Sequence, residues 1–399
     1  MAVSRGAIDL GRVPARRRAV GRQRGQDESV FHTRGPAAWR HVDLVLVLTA
    51  LAIAALGTLM ILSSTRGTDP DAYDLSFLRK QVLFIGIGVA SMVLVTLVDY
   101  RRLRGVAWLP YAAALVALGL VVSSLGIEQR GAQAWFQLGP FQLQPAELAK
   151  VATILAVAAL FARFDAPLQA RQLGLGLLLF VAPVGLIMLQ PDLGTTLVFI
   201  AVMMGMVLVG GGRLRHIVVL TAVGVVTVVG VLNSDVLDEY QRERLTVFVE
   251  AGENLGAETY NLDQSKAAIA SGGTAGRGLF EGTQTRLGFV PEQHTDFVFT
   301  ALGEELGFAG SATLLGLFAL MCLRILRTAQ IAGDRLGTLI CAGALSMLVF
   351  QVFQNVGMTM GIMPITGIPL PFMSYGGSSV VASFLVLGLV LNVHMRRFG

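Results

Sequence analysis

A chain of 399 residues that is 54% hydrophobic and only 14% charged lies far from soluble domains, in which about a quarter of residues are charged. Its formal charge of +5 sorts by membrane side, as shown below, so the basic balance calls for no nucleic acid as partner. The two cysteines, Cys322 and Cys341, both fall inside apolar runs, which excludes a disulfide framework.

In chain order, the first 41 residues are rich in Arg and Gly and carry no apolar core of a leader peptide. They are expected to form a basic cytoplasmic tail, disordered, and not a cleaved signal. Residues 42–399 read as one membrane domain. Apolar runs at 43–63, 78–98, 106–126, 145–162, 172–190, 193–212, 216–232, 297–323, 337–361 and 378–395 each approach the ~20 residues that cross the hydrocarbon. Backbone groups in lipid need internal partners, and these runs are too long for barrel strands, so helices are the solution. The predicted class is an all-α polytopic membrane protein with about ten transmembrane helices. The run at 145–162 stands out because it holds Glu147 and Lys150, and 216–232 because it is short.

Alternating the ten spans puts both termini on one side of the membrane. That side holds 21 of the 31 Lys and Arg against seven acidic residues, and the other holds 10 against 19. Basic residues accumulate on the cytoplasmic side, so both termini are expected there. Residues 233–295 then form one long extracytoplasmic loop with ten acidic and five basic residues. Its stretch Ser271-Gly-Gly-Thr-Ala-Gly-Arg-Gly278 argues against a simple helix.

Ionisable groups inside spans are costly and are functional candidates by default. Glu147 and Lys150, three apart, share a helix face and can pair; a structural ion pair and direct substrate contact both remain open. Glu304 and Glu305, about two turns into the eighth span, would suit a proton relay in a transporter. Asp296 sits where the long loop meets that span, in Pro291-Glu-Gln-His-Thr-Asp-Phe297. A carboxylate there can simply cap the helix. In an outward cleft where carboxylates and basic residues converge, it also suits acid–base work on a lipid-linked polar substrate. There is no nucleotide-binding P-loop, no zinc-site spacing and no nucleophile elbow in the sequence.

Several longer motifs resemble one family. Pro291–Phe297, Gly303-Glu-Glu-Leu-Gly307, Gln144-Pro-Ala-Glu-Leu-Ala-Lys150, Gln190-Pro-Asp-Leu-Gly-Thr195 and Pro369-Leu-Pro-Phe-Met-Ser-Tyr-Gly-Gly-Ser378 are similar, in order, to the signatures of the SEDS (shape, elongation, division and sporulation) proteins. Gly276-Arg-Gly-Leu-Phe-Glu-Gly-Thr-Gln284 and Asn355-Val-Gly-Met-Thr-Met-Gly-Ile-Met-Pro364 resemble the RodA branch more than the FtsW branch. The resemblance spans about residues 44–395 and implies a glycosyltransferase that polymerises lipid II into peptidoglycan strands at the outer face of the bacterial cytoplasmic membrane, for cell elongation and rod shape. A lipid II flippase is the alternative.

By the same resemblance, Asp296 is the essential loop aspartate and Trp135 the essential Trp before the fourth span, with Glu147 and Lys150 the intramembrane pair. On position alone, Trp135 could equally anchor at the interface. The growing chain on undecaprenyl pyrophosphate would be the donor and lipid II the acceptor. Arg242, Arg244, Lys266, Arg277 and Lys150 are outer-side cations that could face the pyrophosphate, or be solvated or paired with loop acids. A divalent cation, Mg²⁺ or Mn²⁺, is expected to assist, with ligands that the sequence leaves unknown. The implied partners are a class B penicillin-binding protein, a transpeptidase, and other elongation-complex membrane proteins. The small residues Gly337, Ala342, Gly343, Ala344 and Ser346 of the ninth span suggest a surface on which the partner's single helix packs.

Overall fold

The computed structural model describes residues 41–65, 74–129, 132–213, isolated positions between 215 and 224, 257–290 and 292–398. The basic tail up to residue 40, most of the seventh expected span, and Arg242 and Arg244 lie outside the described residues.

Most of the apolar runs are long enough that helix is their only way to satisfy the backbone in lipid. Among the described residues, six helices are long and apolar enough to cross a membrane: α1 (Leu44–Thr65), α2 (Ser76–Leu97), α6 (Ala170–Met188), α10 (Val298–Gln330), α11 (Arg335–Thr359) and α12 (Gly377–Met395). A seventh span is broken into α3 (Tyr100–Val106) and α4 (Trp108–Val121), bent by 58°. Pro110 lies in the first turn of α4 and has no N–H to offer the carbonyl four residues back, so the helix cannot run straight through. Two helices of 17 residues, α5 (Pro145–Phe161) and α7 (Leu193–Val209), sit at the short end of membrane-crossing lengths. Nine of the ten expected spans are thus helical among the described residues.

The chain is not helical throughout. Between α4 and α5 the structure adds a three-stranded antiparallel sheet: β1 (Ile127–Gln129), β2 (Ala132–Leu138) and β3 (Phe141–Leu143). Trp135 stands opposite Ile127, and Phe136 opposite Leu143. Two short helices, α8 (Ala257–Gly272) and α9 (Thr283–Leu287), precede α10.

The most enclosed helices are α5, α11 and α12. In α12 nearly every residue from Ser378 to Met395 is buried, a pattern expected of a helix surrounded by others. By contrast, α2 buries only Gln81, Gly88, Met92 and Thr96, which fall along one stripe facing α12. A Cβ at Gly88 would lie 2.6 Å from Phe384, and one at Gly388 2.9 Å from the Met92 carbonyl, so glycine on both sides lets the helices touch. The small residues of α11 do the same inside the bundle: Gly337 meets Val393, Gly343 meets Ile154 and Met206, and Ser346 fills the space over Gly205. Their expected role as a docking face for a partner helix is therefore corrected. They are consumed by packing against α5, α7 and α12.

Polar contacts collect at the two ends of the bundle. At one end Arg324 pairs with Asp43 at 2.7 Å, Arg101 with Asp334 at 3.0 Å and Arg396 with Asp99 at 3.7 Å. At the other end lie the sheet, α8, α9 and the loops at 292–297 and 362–376. Every family-like motif has its polar residues at this second end.

Candidate active site

Asp296 is held by its backbone. The amides of Thr295, Asp296 and Phe297 all donate to the carbonyl of Glu292, a tight turn that places Glu292 at φ +58°, where side chains other than glycine are uncommon. On one side the His294 carbonyl accepts from the Tyr375 amide at 2.8 Å. On another, the side-chain amide of Asn355 donates to the Asp296 carbonyl at 2.8 Å. Phe297, next in the chain, is buried in a small apolar cluster with Leu262, Val290 and Ile365. The Asp296 side chain itself stays partly exposed.

The loop at 362–376 ties Asp296 to the other motifs. The rings of Phe77, His294 and Tyr375 meet edge-on or tilted, with centroids 4.8 to 5.6 Å apart. Burial raises the Tyr375 phenol above its ordinary value, so it is a proton donor and never an anion near neutral pH. Three residues on, Ser378 Oγ accepts from the Gln144 amide at 2.9 Å. Gln144 in turn reaches the Asp192 carboxylate at 3.3 Å, which caps α7 by accepting from the Thr195 amide at 2.9 Å and its hydroxyl at 2.7 Å. Gly194 follows because a Cβ there would stand 2.4 Å from the Thr366 carbonyl.

Glu147 and Lys150 form a direct ion pair at 2.7 Å in the first turns of α5, with both side chains almost wholly buried. Each therefore compensates a charge that would otherwise be costly. Trp135 is half-buried in β2, directly after the fully buried Ala134. Lys266 is exposed on α8, 3.6 Å from Asp263, with its terminal methylene close to Gly361. It lies one turn beyond Leu262, which packs on Phe297. Arg277 is exposed and donates to the hydroxyls of Ser271 at 3.1 Å and Thr283 at 3.3 Å.

Lys266 thus lies on the half of the site that carries Asp296, and Arg277 lies on the glycine-rich segment over Glu304. Trp135, Glu147 and Lys150 occupy the half built on α4, α5 and the sheet, joined to the first through the 362–376 loop. Among the described residues, no three His, Cys, Asp or Glu side chains cluster in a way that could hold a metal ion.

The family model of FtsW, RodA and SpoVE, described as "Cell cycle protein", matches residues 43–398. The chain belongs to the FtsW/RodA/SpoVE family. It is 34% identical to the peptidoglycan glycosyltransferase MrdB of Escherichia coli K12, covering 90% of this chain and 94% of that one. It is 31% identical to the peptidoglycan glycosyltransferase RodA of Treponema pallidum, covering 89% and 98%. Among solved structures, the rod shape determining protein RodA of Thermus thermophilus superposes with a TM-score of 0.67 at 35% identity, over 90% of this chain and 99% of that one. A chain from a peptidoglycan synthase complex, studied for its coordination of polymerization and crosslinking, gives 0.75 at 36%, over 90% and 99%.

Membership of the FtsW/RodA/SpoVE family accounts for why five separated motifs meet at one end, but several contributing residues carried no individual signal. Glu304 and Glu305, the relay candidates, are both bonded to neighbouring segments. The Glu304 carboxylate accepts from the amides of Gln284 and Thr285 at 2.8 Å and from the Thr285 hydroxyl at 2.7 Å. Glu305 accepts from the Ser63 hydroxyl and from the Phe280 amide. Just beyond them α10 breaks at Gly307, with φ +62° and ψ −158°, and the amides of Phe308 and Ala309 turn to Gly273 and Thr274. A Cβ on Gly276 would be 2.1 Å from the Glu305 carbonyl, so the glycine-rich stretch is what lets this loop lie on the broken helix. Asn355 is legible only as the first letter of a motif, and Gln354, just before it, lies in none.

Proposed function

We propose that this chain is a peptidoglycan glycosyltransferase that polymerises lipid II into glycan strands for cell elongation, working at the outer face of the bacterial cytoplasmic membrane with both termini in the cytoplasm. The observation that carries the reading is that the motif loops gather at the end of the bundle opposite the Arg-rich one, where the partly exposed Asp296 is held by the 362–376 loop and the end of α11. The names of relatives in both the RodA and MrdB lines support the same activity.

In the reaction, a sugar hydroxyl of the acceptor lipid II attacks the anomeric carbon of the growing chain. The new C–O bond forms as the bond to the undecaprenyl pyrophosphate oxygen breaks, and the leaving group takes the electron pair. Asp296 accepts the hydroxyl proton, the work of a general base. Inversion from an α-linked donor to a β-linked product needs no sugar–enzyme intermediate. Lys266 and Arg277, both exposed at this end of the bundle, balance phosphate charge, with Arg suited to two phosphate oxygens at once; Arg242 and Arg244 are assigned to the same task from sequence alone. The half-buried face of Trp135 offers a surface for a sugar ring. Glu147 and Lys150 neutralise one another, so any contact with substrate acts on a pair and not on a free charge.

Mg²⁺ or Mn²⁺ fits a site of this kind without a protein cage, because such ions commonly bind one or two carboxylates together with substrate phosphates. Asp296 is the carboxylate that would hold it, and the ion would supply charge neutralisation for the departing pyrophosphate. The partner is a class B penicillin-binding protein that cross-links the product, alongside other elongation-complex membrane proteins. A flippase would use polar side chains as movable gates. Glu304 and Glu305, the obvious relay candidates, have their carboxylates bonded to loop amides and hydroxyls, which favours the enzyme.

The test is purified chain with its penicillin-binding partner and lipid II, in detergent and in vesicles. Glycan ladders that weaken on chelation of divalent ions are the expected result. Movement of lipid II across the vesicle bilayer with no ladder would replace the polymerase reading by the flippase.

A further inference from the structure

We propose that Asn355 is a positioning residue for Asp296, and that the end of α11 sets the place of the candidate base by clamping two loops at once. The inference rests on the reading of Asp296 as the base and adds to it the device that holds it.

Asn355 is fully buried, and a primary amide has two N–H donors. Both are committed: one to the Asp296 carbonyl at 2.8 Å and one to the Ile368 carbonyl at 2.8 Å. Facing two acceptors, the amide can orient only with its nitrogen toward them, so the assignment of its two ends is settled by the contacts. One side chain therefore joins the turn that carries Asp296 to the middle of the 362–376 loop. The preceding residue repeats the arrangement without touching Asp296. Gln354, also fully buried, donates to the Pro364 carbonyl at 2.8 Å and to the Thr366 hydroxyl at 3.1 Å. The loop is thus held at 364, 366 and 368 by α11, and Ile365 between them packs on Phe297.

The turn needs such a clamp. Its internal bonds, three amides on one carbonyl with Glu292 at φ +58°, fix its shape but not its place against α11, which the Asn355 bond sets. A displacement of about 1 Å in a catalytic group can lower a rate by about a hundredfold. Asn355 touches the backbone of Asp296, so its loss should change where the carboxylate stands and leave substrate affinity, set elsewhere, nearly intact.

The experiment uses full-length protein with its partner and compares Asn355→Leu, the isosteric Asn355→Asp, Gln354→Leu and Asp296→Asn. The expected result is a fall in kcat of about a hundredfold for both Asn355 variants, with KM for lipid II within about threefold. Gln354→Leu, which loosens the same loop without touching Asp296, should lose less than about a tenth as much in kcat. Thermal midpoints measured in parallel separate folding from chemistry, and Asn355→Asp keeps the test open if the leucine variant does not fold. A kcat within threefold of wild type in a folded Asn355 variant would overturn the proposal, as would equal losses for Gln354→Leu and Asn355→Asp. If Asp296→Asn remained active, the reading of the base would fall first and the clamp with it; a dead Asp296→Asn beside a normal Asn355→Asp would sink the clamp alone.

Discussion

The helices α5 and α10 both bury acidic residues, and they solve the same problem differently. In α5, Glu147 is neutralised by a cation one turn away, Lys150, and the pair is complete within its own helix. In α10, Glu304 has amide and hydroxyl donors from the 283–285 segment, and Glu305 has Ser63 of α1 and the Phe280 amide. A carboxylate that accepts several hydrogen bonds can remain charged when buried. The first solution is local and leaves the surrounding chain free. The second ties a loop to the bundle, so here buried charge is used to position backbone.

The difference should be largest when one member of the α5 pair is removed. Lys150→Met leaves Glu147 buried and uncompensated, and breaking such a pair costs about 3–5 kcal/mol; a steep fall in the thermal midpoint of the purified protein is expected. Exchanging the two charges, Glu147→Lys with Lys150→Glu, restores the pair and should recover most of that midpoint. Polymerisation that recovers with it would mark the pair as structural, whereas a folded but inactive double variant would give it contact with substrate.

A smaller effect is expected in α10. Glu304→Gln keeps an acceptor but removes the charge facing two amides and a hydroxyl, a loss of about 1.5–3 kcal/mol for charge-assisted bonds. Because those donors lie in α9, the variant should show faster proteolysis confined to residues 273–290, with the rest of the bundle protected. Uniform loss of protection would mean that Glu304 supports the fold as a whole, and the contrast between the two regions would fail. The smallest effect belongs to Arg277→Gln. Its guanidinium is exposed and, among the described residues, bonded to two hydroxyls, so stability should move by less than about 0.5 kcal/mol. KM for lipid II should rise severalfold if it contacts phosphate, and an unchanged KM would return it to the role of a loop residue.

The same contrast explains what could be read from the sequence. Length and apolarity alone marked the spans, because lipid leaves the backbone no alternative. The Glu147–Lys150 pair was legible because its partner lies three residues away on one helix face. The roles of Glu304 and Glu305 were not, since their donors come from residues 280–285 and from Ser63, brought together only by the fold. The sheet has a local signal: Ala132–Leu138 carries Gly139-Pro140 at its end, a turn dipeptide before a second short apolar run. The small residues of α11 were read as a surface because composition does not say which neighbours a glycine faces. Asp296 was singled out by its motif, but its neighbours Asn355 and Tyr375 are 59 and 79 positions away in the chain, and no spacing rule connects them.

The most direct test of the central claim is the glycan yield of Asp296→Asn, measured with lipid II and the penicillin-binding partner at matched amounts of folded protein. Asparagine keeps the size of the side chain, and the backbone contacts to Glu292 and Asn355 do not involve the carboxylate. The account predicts intact folding and partner binding with a rate lower by about 10²–10⁴, the usual cost of losing a general base. A rate within about twofold of wild type would contradict it.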